Sequence, residues 1–316
     1  MSRKTDVVST APLRTRAVGA KSFDALAGRL TCEFNQYANN KKEDLAAWNR
    51  HIPLTPRQAL KILGRGLPKD TKIEFSALDI DGEGTIEFTL NKERKNGRPD
   101  NVFHDSRDFN IGDKTLLDGL ITVSDDHQEK QYGRKIFRNQ IEFFYACGVR
   151  KFEVQAASYN GGYTWARFGF LPEDVKDYYF KSNVRDVVAD RYKLIRTFLP
   201  KDVQVKMDEA VRFKKKEDIW VVADCDTDLM PSLKKAFDKA ARSKDIPGLT
   251  NLQRQELHRE LREDFEDAAS KGKSLKVGRF LLTGTHWSAS IDMTNEQQMK
   301  RISDYTGGFK FIKFNK

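Results

Sequence analysis

The sequence predicts an α+β (α/β) protein: a mixed central sheet flanked by helices, with a large helical insertion or C-terminal extension. Three observations predict it. Segments of period-two hydrophobic alternation cluster between residues 72 and 157, and one broad apolar helical stripe interrupts them. Beyond residue 172 the texture becomes helical, and alternation returns only near the C-terminus. Finally, 39% hydrophobic residues, with 21 Phe and 4 Trp, suffice for a packed core. At 316 residues the chain suits one large or two ordinary domains.

Residues 1–21 read as a flexible tail, rich in Ser, Thr, Ala and Arg without periodicity. From Ser22, the apolar residues Phe23, Leu26, Leu30 and Phe34 recur at helical spacing, with Ser22 as N-cap. Thr55-Pro56 starts a second helix, whose face is Ala59, Leu60 and Leu63 and whose end is marked by Gly64 and Gly66. Lys72–Ile80 and Thr85–Leu90 alternate around Asp81-Gly82-Glu83-Gly84 and read as a β-hairpin. Lys95 to Gly112 reads as a polar loop, followed by an apolar strand from Leu116 to Val123. Arg134 to Cys147 is a helix striped by Ile136, Phe137, Ile141, Phe144 and Tyr145, and Gly148 stops it. Lys151 to Ala157 alternates as a strand, and Tyr163 to Phe170 forms a short aromatic helix closed by Leu171-Pro172.

Past Pro172, helices are expected over Asp186–Leu199, Asp202–Phe213, Ser232–Arg242 and Leu252–Lys271. Periodicity does not decide whether Ile219–Ala223 is strand or helix. Gly278–Leu282 and Trp287–Met293 have sheet character, and Thr294-Asn295-Glu296-Gln297 opens a last helix to Tyr305. The domain organisation expected from this order is a core over 22–172, a helical insertion or extension over 173–275, and C-terminal strands and helix over 276–316 completing the sheet.

Composition narrows the function classes. No apolar run approaches the roughly 18 residues of a membrane helix, and no apolar h-region marks the N-terminus as a secretory signal. Cys32, Cys147 and Cys225 are unclustered, which argues against a disulfide framework or cysteine-based zinc site and for a reducing, cytoplasmic setting. The net charge of +10 suits a polyanionic partner such as nucleic acid. Its spread along the chain favours a merely basic soluble protein, and the Lys214-Lys215-Lys216 run reads as a solvated face. His104-Asp105 and His286-Trp287 lack metal-ligand spacing, so no metal is expected.

The stretch richest in chemistry joins the strand ending at Val123 to the helix at Arg134. A polar loop ending in glycine there aims unpaired backbone N–H groups and the positive end of a helix dipole at one point, which suits phosphate or pyrophosphate. Lys130, Arg134 and Lys135 add cations at its rim. By spacing alone, an ordinary strand–loop–helix connection fits better. Val123, Gln128 and Gly133 stand at the offsets of the acyl-CoA signature of the GCN5-related N-acetyltransferases (GNAT), and Ser22 to Phe170 resembles that family in element order. Gln131 stands where the signature's first glycine is expected. The resemblance implies that acetyl-CoA is a co-substrate, held by Val123, Gln128, Glu129, Lys130, Gln131, Tyr132, Gly133 and Arg134.

Asn160-Gly161-Gly162-Tyr163, with Gly169-Phe170, resembles the next segment of the same family. That likeness implies a cofactor contact at Asn160 and a general acid at Tyr163, although Tyr163 equally suits packing on the sheet. Trp165, at the family's usual tyrosine position, reads as core together with Phe168. Candidate bases for the attacking amine are Asp118, Asp125, Asp126 and His127. Asp118 interrupts an apolar run, which would raise its pKa.

A second resemblance, carried by aromatic and glycine positions in Asn160–Pro172, Leu281–Gln298 and Tyr305, is to domains of bacteriophage structural or morphogenesis proteins. It implies that Glu173–Lys273 is inserted within one domain and that phage virion proteins are partners. Two functions are implied: an acyl-CoA-dependent N-acyltransferase acting on an amine acceptor, or a catalytically inactive GNAT-fold virion or partner-binding protein. DNA binding is a third.

Overall fold

The structure, a computed structural model, describes residues 30–33, 48–49, 52–77, 85–93, 101–110, 112–124, 127, 130–156, 161–230 and 274–310. It has mixed α and β content, with an open mixed sheet and helices. The chain divides into two compact units, Met1–Val154 with Ile291–Lys316, and Gln155–Ser290.

The strands β1 (Leu30–Glu33), β2 (Lys72–Ala77), β3 (Thr85–Glu93), β4 (Asn101–Asn110), β5 (Thr115–Val123) and β6 (Lys151–Ala156, of which Lys151–Val154 belongs to the first unit) lie side by side in sequence order. The β1–β2 and β5–β6 pairs are parallel and the other pairs antiparallel. The expected hairpin is present, with Ile73 opposite Leu90 and Phe75 opposite Phe88; its turn lies outside the described residues.

Two sequence expectations for this unit are corrected. Leu30–Glu33, placed in a helix by its 3.6-residue spacing, is a strand in register with Ile73–Ser76. A short segment with Thr and Cys at its centre fits either state, and pairing along β2 decides. The polar loop expected from Lys95 to Gly112 contains the ten-residue strand β4. Its buried positions are Val102, Phe103, Asp105, Arg107 and Phe109, so charges at two alternate positions hid the period-two signal.

Helix α1 (Pro56–Leu63) begins as expected: the Thr55 hydroxyl accepts from the Gln58 N–H, and the Gln58 side chain accepts from the Thr55 N–H. Helix α2 (Tyr132–Ala146) carries the expected stripe and ends at Gly148, whose φ of 90° explains the glycine. Its packing is broader than one stripe. Phe137, Ile141, Phe143 and Phe144 are buried together with Asn139, Gln140 and Glu142. The apolar side chains each stabilise the fold by about 1.5–3 kcal/mol. Phe144 meets both Phe88 and Phe109, joining α2 to the sheet at two strands.

The polar residues of α2 are paired. Asn139 Nδ2 donates to the Leu63 and Arg65 carbonyls at 2.9 Å. Glu142 accepts two hydrogen bonds from Arg65, at 2.8 and 2.9 Å, and one from the Lys310 N–H at 2.7 Å. These bonds fasten α2 to the turn after α1 and to the chain beyond the C-terminal helix.

In the second unit, α3 (Gly161–Phe168) leads into the short strand β7 (Leu171–Pro172), which pairs antiparallel with β8 (Trp287–Asp292). A helical turn at Tyr178–Phe180 passes through a π-helical stretch, Lys181–Arg185, into α4 (Asp186–Ile195). Helices α5 (Lys201–Ala210), α6 (Asp218–Ala223) and α7 (Val277–Leu282) come next, so Ile219–Ala223 is helical. Gly278–Leu282, expected as sheet, lies in α7. The apolar run has no period to read, and a Cβ at Gly278 would stand 2.4 Å from the Val222 carbonyl oxygen and 2.6 Å from that of Ala223. Glycine permits this backbone contact with α6. Arg191 donates to the carbonyls of Phe280, Leu281 and Thr283, satisfying the end of α7.

Returning to the first unit, α8 (Glu296–Thr306) is capped by Asn295, one residue after the expected Thr294. The expected helices Ser232–Arg242 and Leu252–Lys271, and the segment from Ser22 to Arg29, lie outside the described residues. Among the described residues no helix is long and apolar enough to cross a membrane.

Candidate functional site

Strand β5 leaves β6 early. Thr115 pairs with Lys151 and Leu116 with Phe152, and among the described residues the two parallel strands share no further register. Along its other edge β5 stays paired with β4 as far as Val123 opposite Phe103. The β4–β5 register shifts in between: Asp105 faces Ile121 and Arg107 faces Asp118, so Gly119 and Leu120 together oppose Ser106. This is a β-bulge with its extra residue on β5, a feature that bends a strand and re-aims the residues beyond it.

At the end of β5 the Ser124 N–H and hydroxyl both donate to the Val102 carbonyl, each at 3.1 Å. Ser124 Oγ also lies 3.2 Å from His127 Nδ1. The His127 ring stacks with Tyr132 at 6.4 Å, and Tyr132 rests against Phe103 at 5.3 Å. The loop is thus held to the start of β4 by one serine and a run of three rings.

Gln131 immediately precedes α2 in the left-handed conformation, with φ 55° and ψ 32°. Side chains rarely adopt this backbone, which costs roughly 1–2 kcal/mol. Gln131 therefore has the backbone that glycine favours, and its side chain is exposed. The first N–H groups of α2 have no intrahelical partner and point toward the loop. A Cβ at Gly133 would come within 3.9 Å of Val123 Cγ2, an ordinary contact, so the end of β5 and the first turn of α2 are close neighbours.

The rim cations have distinct settings. Lys135 Nζ donates to the Lys130 carbonyl at 2.9 Å and lies 5.2 Å from the Tyr132 ring centroid. Arg134 stacks on Tyr305 of α8. Lys130 is exposed. One turn further along α2, Arg138 donates to the Thr306 carbonyl at 3.4 Å. Burial, then the neighbouring Arg65, hold the Arg138 pKa below its ordinary value, while Glu142 opposes them.

Of the sequence-predicted residues, Val123, His127, Lys130, Gln131, Tyr132, Gly133 and Arg134 come together around this loop. Asp118 lies on β5 beside the bulge, its backbone opposite Arg107. Gln128, Glu129, Asp125, Asp126 and Asn160 lie outside the described residues. Tyr163 belongs to the second unit, on α3, with the Arg167 guanidinium 5.9 Å from its ring centroid. Trp165 and Phe168 are buried on the same helix, as core.

Sequence reasoning missed Phe103, Asp105 and Arg107, which border the bulge and the loop. The signal that could have found them is the shared parity of Phe103 and Phe109. Among the described residues no group of three or more His, Cys, Asp or Glu could hold a metal ion. No family model, no curated protein and no solved structure matches this chain.

Proposed function

We propose that the protein is an acyl-CoA-dependent N-acyltransferase of GNAT-like fold, transferring acetyl from acetyl-CoA to an amine. The observation that carries this is the fork between β5 and β6. Two parallel strands that part after two residues expose backbone N–H and C=O groups on facing edges, and such groups require partners. The pantetheine arm, with its two amides, is an extended chain able to pair with those edges as an added strand does. The loop at the mouth of the fork, with the first-turn N–H groups of α2 and the Lys130 and Arg134 cations, suits the pyrophosphate.

In the reaction the amine nitrogen attacks the thioester carbonyl, a C–N bond forms and the C–S bond breaks. Backbone N–H groups at the end of β5 polarise the carbonyl. The amine proton passes to a base, for which Asp118 and His127 are the candidates. The departing thiolate takes a proton from water; Tyr163, which the family resemblance names for that step, belongs to the second unit.

Calorimetric titration with acetyl-CoA tests the proposal. Saturable binding to the native protein is expected, lost in Gly133→Trp, where an indole would fill the space beside Val123. With an amine acceptor, free CoA thiol should appear. Absence of binding at millimolar acetyl-CoA overturns the proposal, and binding without thiol release from any amine class would favour a non-catalytic partner-binding protein.

A further inference from the structure

We propose that Asp105, Arg107 and Gln140 form a buried polar clamp that sets the β5 bulge and the β5–β6 fork, making them positioning residues for acyl-CoA. The inference deepens the acyltransferase proposal and rests on it for the ligand, though not for the clamp itself.

The three side chains belong to a β-strand and a helix whose other facing residues are mostly apolar. Asp105 and Arg107 are each 0% exposed and pair through Oδ1 and Nη2 at 2.9 Å. Gln140, also fully buried, donates from Nε2 to Asp105 Oδ2. Arg107 Nη1 donates to the Ser106 carbonyl at 2.9 Å, and its guanidinium lies 5.6 Å from the Phe152 ring centroid.

Stability alone does not account for this arrangement. Two charges withdrawn from water lose hydration that their mutual attraction need not restore, and apolar pairs of similar volume are often as stable or more so. What an ion pair supplies and an apolar pair does not is direction. A guanidinium is a rigid plane, and this one is set by the Asp105 carboxylate within ion-pair distance, the Ser106 carbonyl and the Phe152 ring.

The placement gives that direction a use. Asp105 and Arg107 flank Ser106, the one residue of β4 that opposes two residues of β5. A one-residue slip of β5 would erase the bulge and reverse the faces of its side chains on one side of it. Phe152, under the guanidinium, is the last residue of β6 in register with β5, opposite Leu116. The clamp therefore ties three elements at the base of the fork: β4 through the ion pair, β6 through the Phe152 ring and α2 through Gln140. The same face of β4 meets α2 again at Phe103–Tyr132 and Phe109–Phe144, so the polar trio is enclosed by apolar contacts.

The test is the double variant Asp105→Leu/Arg107→Met in the full chain, with amide hydrogen exchange measured without ligand and acetyl-CoA titrated afterwards. The expected result is a cooperatively melting protein in which the amides of Gly119, Leu120 and Ile121 exchange at least tenfold faster and acetyl-CoA binds at least tenfold more weakly. Asp105→Asn, which keeps the shape and removes the charge, should show a smaller change in the same amides. Unchanged exchange in both variants overturns the clamp. So does loss of cooperative melting in both, because the trio would then serve stability. A native protein that fails to bind acetyl-CoA sinks the acyltransferase proposal instead, and the clamp is still judged by the exchange data.

Discussion

The guanidinium of Arg134 lies over the ring of Tyr305, 4.2 Å from its centroid. This contact fastens the first turn of α2 to the last turn of α8, with Arg138 and the Thr306 carbonyl one turn further along. A cation over an aromatic face at a partly exposed site contributes about 0.5–1 kcal/mol. Tyr305→Leu should therefore lower stability by about that amount, while Tyr305→Phe, which keeps the ring, loses less. Chemical denaturation of the two variants separates ring from hydroxyl, and equal losses in both would show that the phenol oxygen matters instead.

Gln131→Gly should stabilise the protein. A left-handed backbone at φ 55° suits glycine, and about 1 kcal/mol of strain is removed, less the greater freedom of glycine in the unfolded chain. Thermal melting reads the gain, and acetyl-CoA affinity should be retained. A lower melting temperature would mean that the Gln131 side chain makes a contribution larger than the strain.

Gly278→Ala should be among the most damaging small substitutions. The new methyl would meet the Val222 and Ala223 carbonyl oxygens at 2.4 and 2.6 Å, and backbone cannot rotate aside as a side chain does. Overpacking of this kind costs about 1–3 kcal/mol. By contrast Gly133→Ala, whose methyl would sit 3.9 Å from Val123 Cγ2, should melt within a degree or two of the native protein. Comparable losses in both variants would contradict the distinction.

Asp208 supplies a pH dependence. The Arg196 guanidinium, bonding it at 2.7 Å through both oxygens, pulls its pKa down to about 2, and the Tyr192 hydroxyl assists at 2.8 Å. A carboxylate whose pKa is lower in the folded state stabilises the fold above its unfolded pKa, about 3.9, and that contribution is lost as pH falls toward 2. Native protein should thus melt above Asp208→Asn at pH 6, with the gap closing between pH 4 and 2. A gap independent of pH would assign the effect to packing. Burial and the same carboxylate push the Tyr192 phenol above its usual range.

The legible parts of the fold were those where local chemistry and burial agree. Thr55-Pro56 announced α1 because one hydroxyl and one ring suffice to start a helix, and the hairpin announced itself because Ile73, Phe75, Phe88 and Leu90 all face inward. Strand β4 was hidden because two of its inward positions are Asp105 and Arg107, whose partners are distant in sequence. The segment at Leu30 was misread because four residues carry no decisive period, and only the edge of β2 makes them a strand. In the candidate site, the loop from Val123 to Arg134 was singled out by its resemblance to the acyl-CoA signature, not by glycine and charge spacing alone. The bulge beside Asp118 was not, since one extra residue in a ladder leaves no mark until the opposite strand is known.

The buried carboxylate of Glu142 receives its last partner from far along the chain. Lys310 leaves the ribosome about eight to thirty seconds after Val154, at ordinary synthesis rates of about 5–20 residues per second. During that interval Arg65 can already neutralise Glu142, but Tyr305, Thr306 and the Lys310 N–H do not yet exist. Arg134, Arg138 and Glu142 then form an uncovered strip on α2 that a nascent first unit must keep in water. The first unit thus waits for the second to be made, and a ribosome stalled within residues 155–290 would hold it unfinished.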